Sequence, residues 1–205
     1  MRDAFYEEAA ALFVGLVARV PDGAWDRPAL GDWDVQDLVG HTSRSFTTVF
    51  TYLDERPAAL EVGSAPGYYV ATTALLASGG RVAADAVAER GREAGRALGP
   101  EPAVAVEALR DRALARLAAA EPDDLMTTAA GGMRVRDYLP TRVLELVVHS
   151  RDLARALDLD LEVPTALLRA VALLAAEVAV DSGRAGVVLD ALLGRGTLPP
   201  GFSLV

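Results

Sequence analysis

The chain has 205 residues, enough for one domain with a small appendage, and its 52% apolar content is enough for a sizeable core. A formal charge of −9 and a pI of about 4.7 disfavour nucleic acid as a partner, because an acidic surface repels phosphate backbones. Cysteine is absent, which excludes disulfides, thiolate ligands and a protein thiol nucleophile; any thiol chemistry needs a small-molecule thiol.

Apolar side chains at Phe5, Ala9, Leu12, Phe13, Leu16 and Val17 follow helical spacing and predict a helix over 2–20, ended by Pro21-Asp22-Gly23. The stretch 24–34 reads as a loop, with Trp25 and Trp33 as packing anchors. Asp34 is the expected N-cap of the next helix, 35–55, with Asp37 three positions on in a capping-box-like arrangement. Residues 56–67 read as loop. A weaker helix follows to Leu76, and Ser78-Gly79-Gly80 is expected to break it. Amphipathic helices are predicted over 81–98 and 101–120 on either side of Gly99-Pro100. The segment 121–133 reads as loop, and Met133-Arg134-Val135 as extended or as the lead into the next helix.

That helix is expected over 135–157, with Pro140 near its first turn. A further helix over 164–183, a short one over 186–193 and a loop tail complete the chain. Strand signals are poor and aromatics scarce. The expected fold is therefore all-α, a four-helix bundle built from 2–20, 35–55, 101–120 and 135–157, with additional short helices. No apolar run of 18 residues is free of charge, and the N-terminus lacks a signal-peptide core. No membrane span and a cytoplasmic location are expected.

The chain has only two histidines. His149 follows Glu145 by four positions, which puts both on one helix face one turn apart. His41 lies on another predicted helix of the bundle. Two imidazoles and a carboxylate supply three ligands to a divalent metal and leave room for water or substrate. The plainer reading makes both histidines hydrogen-bonded core residues, with Glu145 salt-bridged to Arg142 or Arg151.

Around this set, Asp152 is placed to orient His149 or to pair with Arg155 or Arg142. Ser45, one turn beyond His41, is readable as a partner of a ligand or as a back-bonding helix residue. Tyr138 reads as core. Arg134, Arg136 and Arg44 are candidates for binding a substrate carboxylate, or are surface charge. Asp123-Asp124 reads as a turn, and the glycines at 79–80 and 131–132 match no phosphate loop.

Two blocks carry a family resemblance. WDRPALGDWDVQDLVGHTSR and MRVRDYLPTRVLELVVHSRDLARAL resemble the two metal-binding segments of the mycothiol-dependent maleylpyruvate isomerase family, and LLGRGTLPPGFSLV is similar to tails seen in relatives. The resemblance covers most of residues 1–160. It implies a DinB-like four-helix bundle over 1–160, with 161–205 as a helical extension and tail. It carries the family's zinc triad onto His41, Glu145 and His149, with nickel or iron as other candidate ions. It also implies an enzyme that uses mycothiol for isomerisation of, or thiol transfer to, a small electrophile, as a monomer or homodimer. A metal-dependent hydrolase on the same triad and a non-enzymatic metal- or ligand-binding protein are the alternatives. The founding isomerase type adds a separate α/β domain after its bundle. Here about 45 residues follow position 160, so the bundle is expected alone or nearly so.

Overall fold

A computed structural model describes residues 2–204. Seven helices follow one another: α1 (Arg2–Val17), α2 (Val35–Leu53), α3 (Ala65–Ala97), α4 (Pro102–Ala118), α5 (Val135–Leu157), α6 (Thr165–Asp181) and α7 (Ala185–Leu192). Helix α1 packs on α5 and α4, and α2 packs on the same two, which closes a four-helix ring of α1, α5, α2 and α4. The fold is all-α, the DinB-like bundle expected from the sequence, with α3 and α6 laid against it and α7 on α6.

The ring closes on large apolar stripes from α1, α2 and α5, to which α4 adds Val106 and Ala113. Helix α1 buries Tyr6, Phe13, Leu16 and Val17; α2 buries Leu38, Phe46, Val49 and Phe50; α5 buries Tyr138, Leu139, Leu146 and Leu153. A buried Leu or Phe contributes roughly 1.5–3 kcal/mol relative to an exposed one, so this core supplies the main driving force. Helix α2 starts where the sequence places it. Asp34 Oδ1 accepts the Asp37 N–H at 2.8 Å. The carboxylate of Asp37 faces Arg92 on α3 at 3.8 Å.

Three sequence expectations need correction. Residues 24–34 and 121–133, read as loops, each hold a small antiparallel hairpin. Pro28–Leu30 (β1) pairs with Trp33–Asp34 (β2), and Leu125–Thr128 (β3) pairs with Gly131–Arg134 (β4). Turn residues obscured these short strands. The second hairpin is held by the loop before α3, where Glu61 and Val62 donate to Gly132 O and Gly132 donates to Glu61 Oε2. Next, the segments on either side of Ser78-Gly79-Gly80 form one helix with a kink. Gly80 adopts φ 55° and ψ −141°, and the helix resumes beyond it. Finally, Pro140 sits in the second turn of α5 rather than the first.

Helices α2 and α3 approach unusually closely through glycine. A Cβ on Gly40 would lie 2.1 Å from Gly95 N, and one on Gly95 would lie 2.7 Å from Gln36 O. This contact fixes where α3 crosses α2, and so what lies over His41.

Candidate metal centre

Helices α2 and α5 run antiparallel. At one level Tyr138 Oη donates to Thr48 Oγ1 at 2.9 Å; further along, His41 faces Glu145. His41, Glu145 and His149 meet there, and each offers a ligand atom within 4.8 Å of the others, a group able to hold a metal ion. His149 Nε2 is 3.3 Å and His41 Nε2 4.0 Å from Glu145 Oε2. The two imidazole rings stand edge to face with centroids 5.1 Å apart. The His41, Glu145 and His149 side chains are 20%, 17% and 15% exposed, so the group is mostly covered yet still reaches solvent.

Each of the three is held from behind by a different element. The Tyr69 hydroxyl on α3 reaches Glu145 Oε1 at 3.0 Å and the Thr141 carbonyl oxygen at 3.0 Å. Glu145 Oε2 is thereby left to the histidines. Asp152 Oδ2 lies 3.2 Å from His149 Nδ1, and Arg155 donates to Asp152 Oδ1 at 2.9 Å. A proton on Nδ1 directs Nε2 toward Glu145. Trp33 stacks on His41 with centroids 4.5 Å apart and donates its indole N–H to Ala88 O at 3.2 Å. Gly91 makes room for that stack, since a Cβ there would meet Trp33 Cζ2 at 2.9 Å.

Charge in the group is unevenly shared. Burial and the neighbouring His149 push the His41 imidazole down to about 4, so it is neutral at pH 7. Burial also works against charge on His149, but the carboxylates of Asp152 and Glu145 outweigh it and raise this imidazole to about 9. Burial opposes ionisation of Glu145 as well, and contact with His149 and the field of Arg142 overcome it, holding this carboxyl at about 2. His41 Nδ1 is buried without a hydrogen-bond partner among the described residues. Its other nitrogen, Nε2, faces Glu145 Oε2 at 4.0 Å, beyond hydrogen-bond reach, and a neutral imidazole nitrogen beside an ionised carboxylate fits a donor set that an ion completes.

The salt bridge offered by the plainer reading of Glu145 is absent. Neither Arg142 nor Arg151 lies within ion-pair distance among the described residues; the contacts of Glu145 are Tyr69 and the histidines. Asp152 takes both roles the sequence left open, against His149 and against Arg155. Tyr138 is core, fully buried. Ser45 is buried, and its carbonyl accepts from Tyr6 Oη at 2.9 Å. Arg134 and Arg136 pair with Asp123 and Asp137, away from the group, whereas Arg44 forms no ion pair among the described residues. Sequence reasoning missed Tyr69, whose role depends on α3 crossing α5, and gave Trp33 only as a packing anchor.

An antiparallel bundle with two histidines and a carboxylate converging from α2 and α5 defines a DinB-like protein with a candidate metal site. The family model for the mycothiol maleylpyruvate isomerase N-terminal domain matches residues 6–154, and the chain belongs to that family. No curated protein and no solved structure gives a match. Among the described residues, no helix is long and apolar enough to cross a membrane.

Proposed function

We propose that His41, Glu145 and His149 hold one divalent metal, zinc by preference, and that the protein uses mycothiol for isomerisation of, or thiol transfer to, a small electrophile. The observation that carries this reading is the convergence of two imidazole nitrogens and one carboxylate oxygen in a half-buried niche. An N2O donor set suits zinc, with nickel and iron as rarer occupants. Family membership supports mycothiol as the thiol, and a chain without cysteine is consistent with an imported nucleophile. The unit is assigned to 1–160, with 161–205 as a helical extension and tail, and the setting is the cytoplasm.

A divalent ion at this position supplies charge that lowers the pKa of a thiol near neutral pH. The chain's own residues prepare for it. Asp152 holds a proton on His149 Nδ1 and frees Nε2 as a donor. Tyr69 donates to one oxygen of Glu145 and leaves the other free. Trp33 covers His41 and keeps bulk water from that face. A thiolate formed here would add to an electron-poor carbon. Departure of a leaving group completes thiol transfer; rotation about the former double bond and thiolate expulsion completes isomerisation.

The test is a panel of small electrophiles turned over with and without mycothiol by wild type and His41→Ala, alongside metal analysis. Turnover that requires both the thiol and His41 supports the reading. Turnover indifferent to thiol makes the protein a hydrolase on the same triad. Firm metal binding with no turnover makes it a binding protein.

A further inference from the structure

Helix α6 is apolar on its outer face as well as its inner one. Leu167, Val171, Leu174 and Val178 face the bundle and are buried. On the opposite side Leu173 and Val180 are 56% and 62% exposed, and Ala172 and Ala176 are exposed as well. A helix that is apolar all round is normally covered all round. Helices α1, α3, α5 and α7 all pack on α6, yet this face stays bare.

The charges on the bare face are few and ordered. Arg169, Glu177 and Asp181 are the charged residues of α6. Arg169 and Glu177 are exposed, and neither has an ion-pair partner among the described residues. They stand four residues before and four residues after Leu173. Four-residue steps keep the three on one side of the helix, with a charge about 6 Å along the axis on either side of the leucine. The row therefore reads positive, apolar, negative. Turned end over end about a two-fold axis through Leu173, it is its own complement, as an isologous contact requires. The chain carries a net charge of −9, whereas this row is balanced, so a second copy meets attraction here in place of repulsion. Leu173 and Glu177 also line a groove against Pro66 and Pro140, which gives an incoming arginine a recess beside its carboxylate. A lipid surface is a poorer match. Interfacial helices are rich in Lys and Arg along a polar face, and α6 has a single arginine in the middle of its exposed one.

We propose that the outer face of α6 is a homodimer interface. Two copies pack antiparallel across a two-fold axis at Leu173, with Arg169 of each against the partner's Glu177, and Ala172 and Ala176 let the helices approach closely. The pairing needs neither the metal nor the thiol.

Sedimentation of the full chain over a range of concentrations tests it, with wild type, Leu173→Glu, Arg169→Glu and Glu177→Arg, each checked for helical content by circular dichroism. Wild type is expected to dimerise. Leu173→Glu should be monomeric, since it sets two carboxylates on the axis. Arg169→Glu and Glu177→Arg should each raise the dimer dissociation constant at least tenfold, because each creates two like-charge contacts. An equimolar mixture of these two variants should dimerise again, because each supplies the charge the other lacks. A merely destabilised surface would not recover on mixing. A wild type that stays monomeric at its highest soluble concentration overturns the proposal, and so does one that stays monomeric while α6 binds phosphatidylcholine vesicles. A dimer that Leu173→Glu leaves intact, or a mixture no tighter than its components, overturns it too. If Leu173→Glu does not fold, the two charge variants and their mixture decide alone.

Discussion

The Tyr69 hydroxyl, carried on α3, lies 3.0 Å from Glu145 Oε1 on α5 and so assigns the two oxygens of that carboxylate different work. One is tied to the protein, and the other, Oε2, faces both histidines. Replacement of Tyr69 with Phe frees the carboxylate to rotate. The expected result is a metal affinity lower by about 10–100-fold, the usual scale for losing such an outer partner. Competition against a chromophoric chelator measures it, and unchanged affinity would mean that Glu145 is positioned by the histidines alone.

Asp152 is the corresponding support for His149. Asp152→Asn keeps the shape but loses the charge that favours a proton on Nδ1. Metal affinity should again fall by about 10–100-fold. The His149 imidazole of the metal-free protein should titrate lower than in wild type, readable from its ring proton shifts by NMR. An unmoved titration would assign the raised basicity to Glu145 alone.

The metal-free group has a defined pH signature. His149 is raised to about 9, so its charged form stabilises the fold below the ordinary imidazole range, and that contribution is lost as pH rises through 9. His41 and Glu145 are both depressed, to about 4 and about 2, so their contributions are present at neutral pH and lost as pH falls through those values. Chelator-treated protein should therefore lose thermal stability between pH 7 and 9. Binding of the ion displaces the His149 proton, so affinity should rise with pH over the same interval, with about one proton released per ion near pH 7. Calorimetry in two buffers of different ionisation enthalpy counts that proton; a count of zero would remove His149 from the ligand set.

The glycines of the α2–α3 crossing set the position of His41. Gly91→Ala brings a methyl to 2.9 Å from the Trp33 ring and 3.4 Å from His41 Cβ. The ring must shift, at a cost of about 1–3 kcal/mol in stability, with weaker metal binding as the second effect. Gly40→Ala meets the backbone nitrogen of Gly95 at 2.1 Å and should be the more damaging of the two. Urea unfolding of both variants tests this ranking.

The sequence made the bundle and the clustering of His41, Glu145 and His149 readable for a simple reason. Helical periodicity along α1, α2, α4 and α5 is a local signal, and Glu145 and His149 share a face by spacing alone. Asp34 as N-cap is equally local. What surrounds the triad is not local. Tyr69, Trp33 and Gly91 gain their roles from α3 crossing α2 and α5, and no pattern within α3 encodes that crossing. The Gly79-Gly80 pair was legible as an interruption, but the kink at Gly80, after which the helix resumes, depends on the packing of the segment beyond it. The hairpin at 125–134 is hidden by short strands and by glycines that serve close contacts, Gly131 with Glu61 and Gly132 with Pro57 and Ala59.

A metal on His41, Glu145 and His149 is proposed to receive a small thiol. Cobalt substituted for zinc and titrated with mycothiol tests it most directly. One cobalt per chain is expected, with a thiolate-to-cobalt charge-transfer band that saturates at one thiol per ion and with cobalt binding lost in His149→Ala. Cobalt that stays bound in His149→Ala, or a fully loaded wild type that shows no charge-transfer band at saturating thiol, would contradict it.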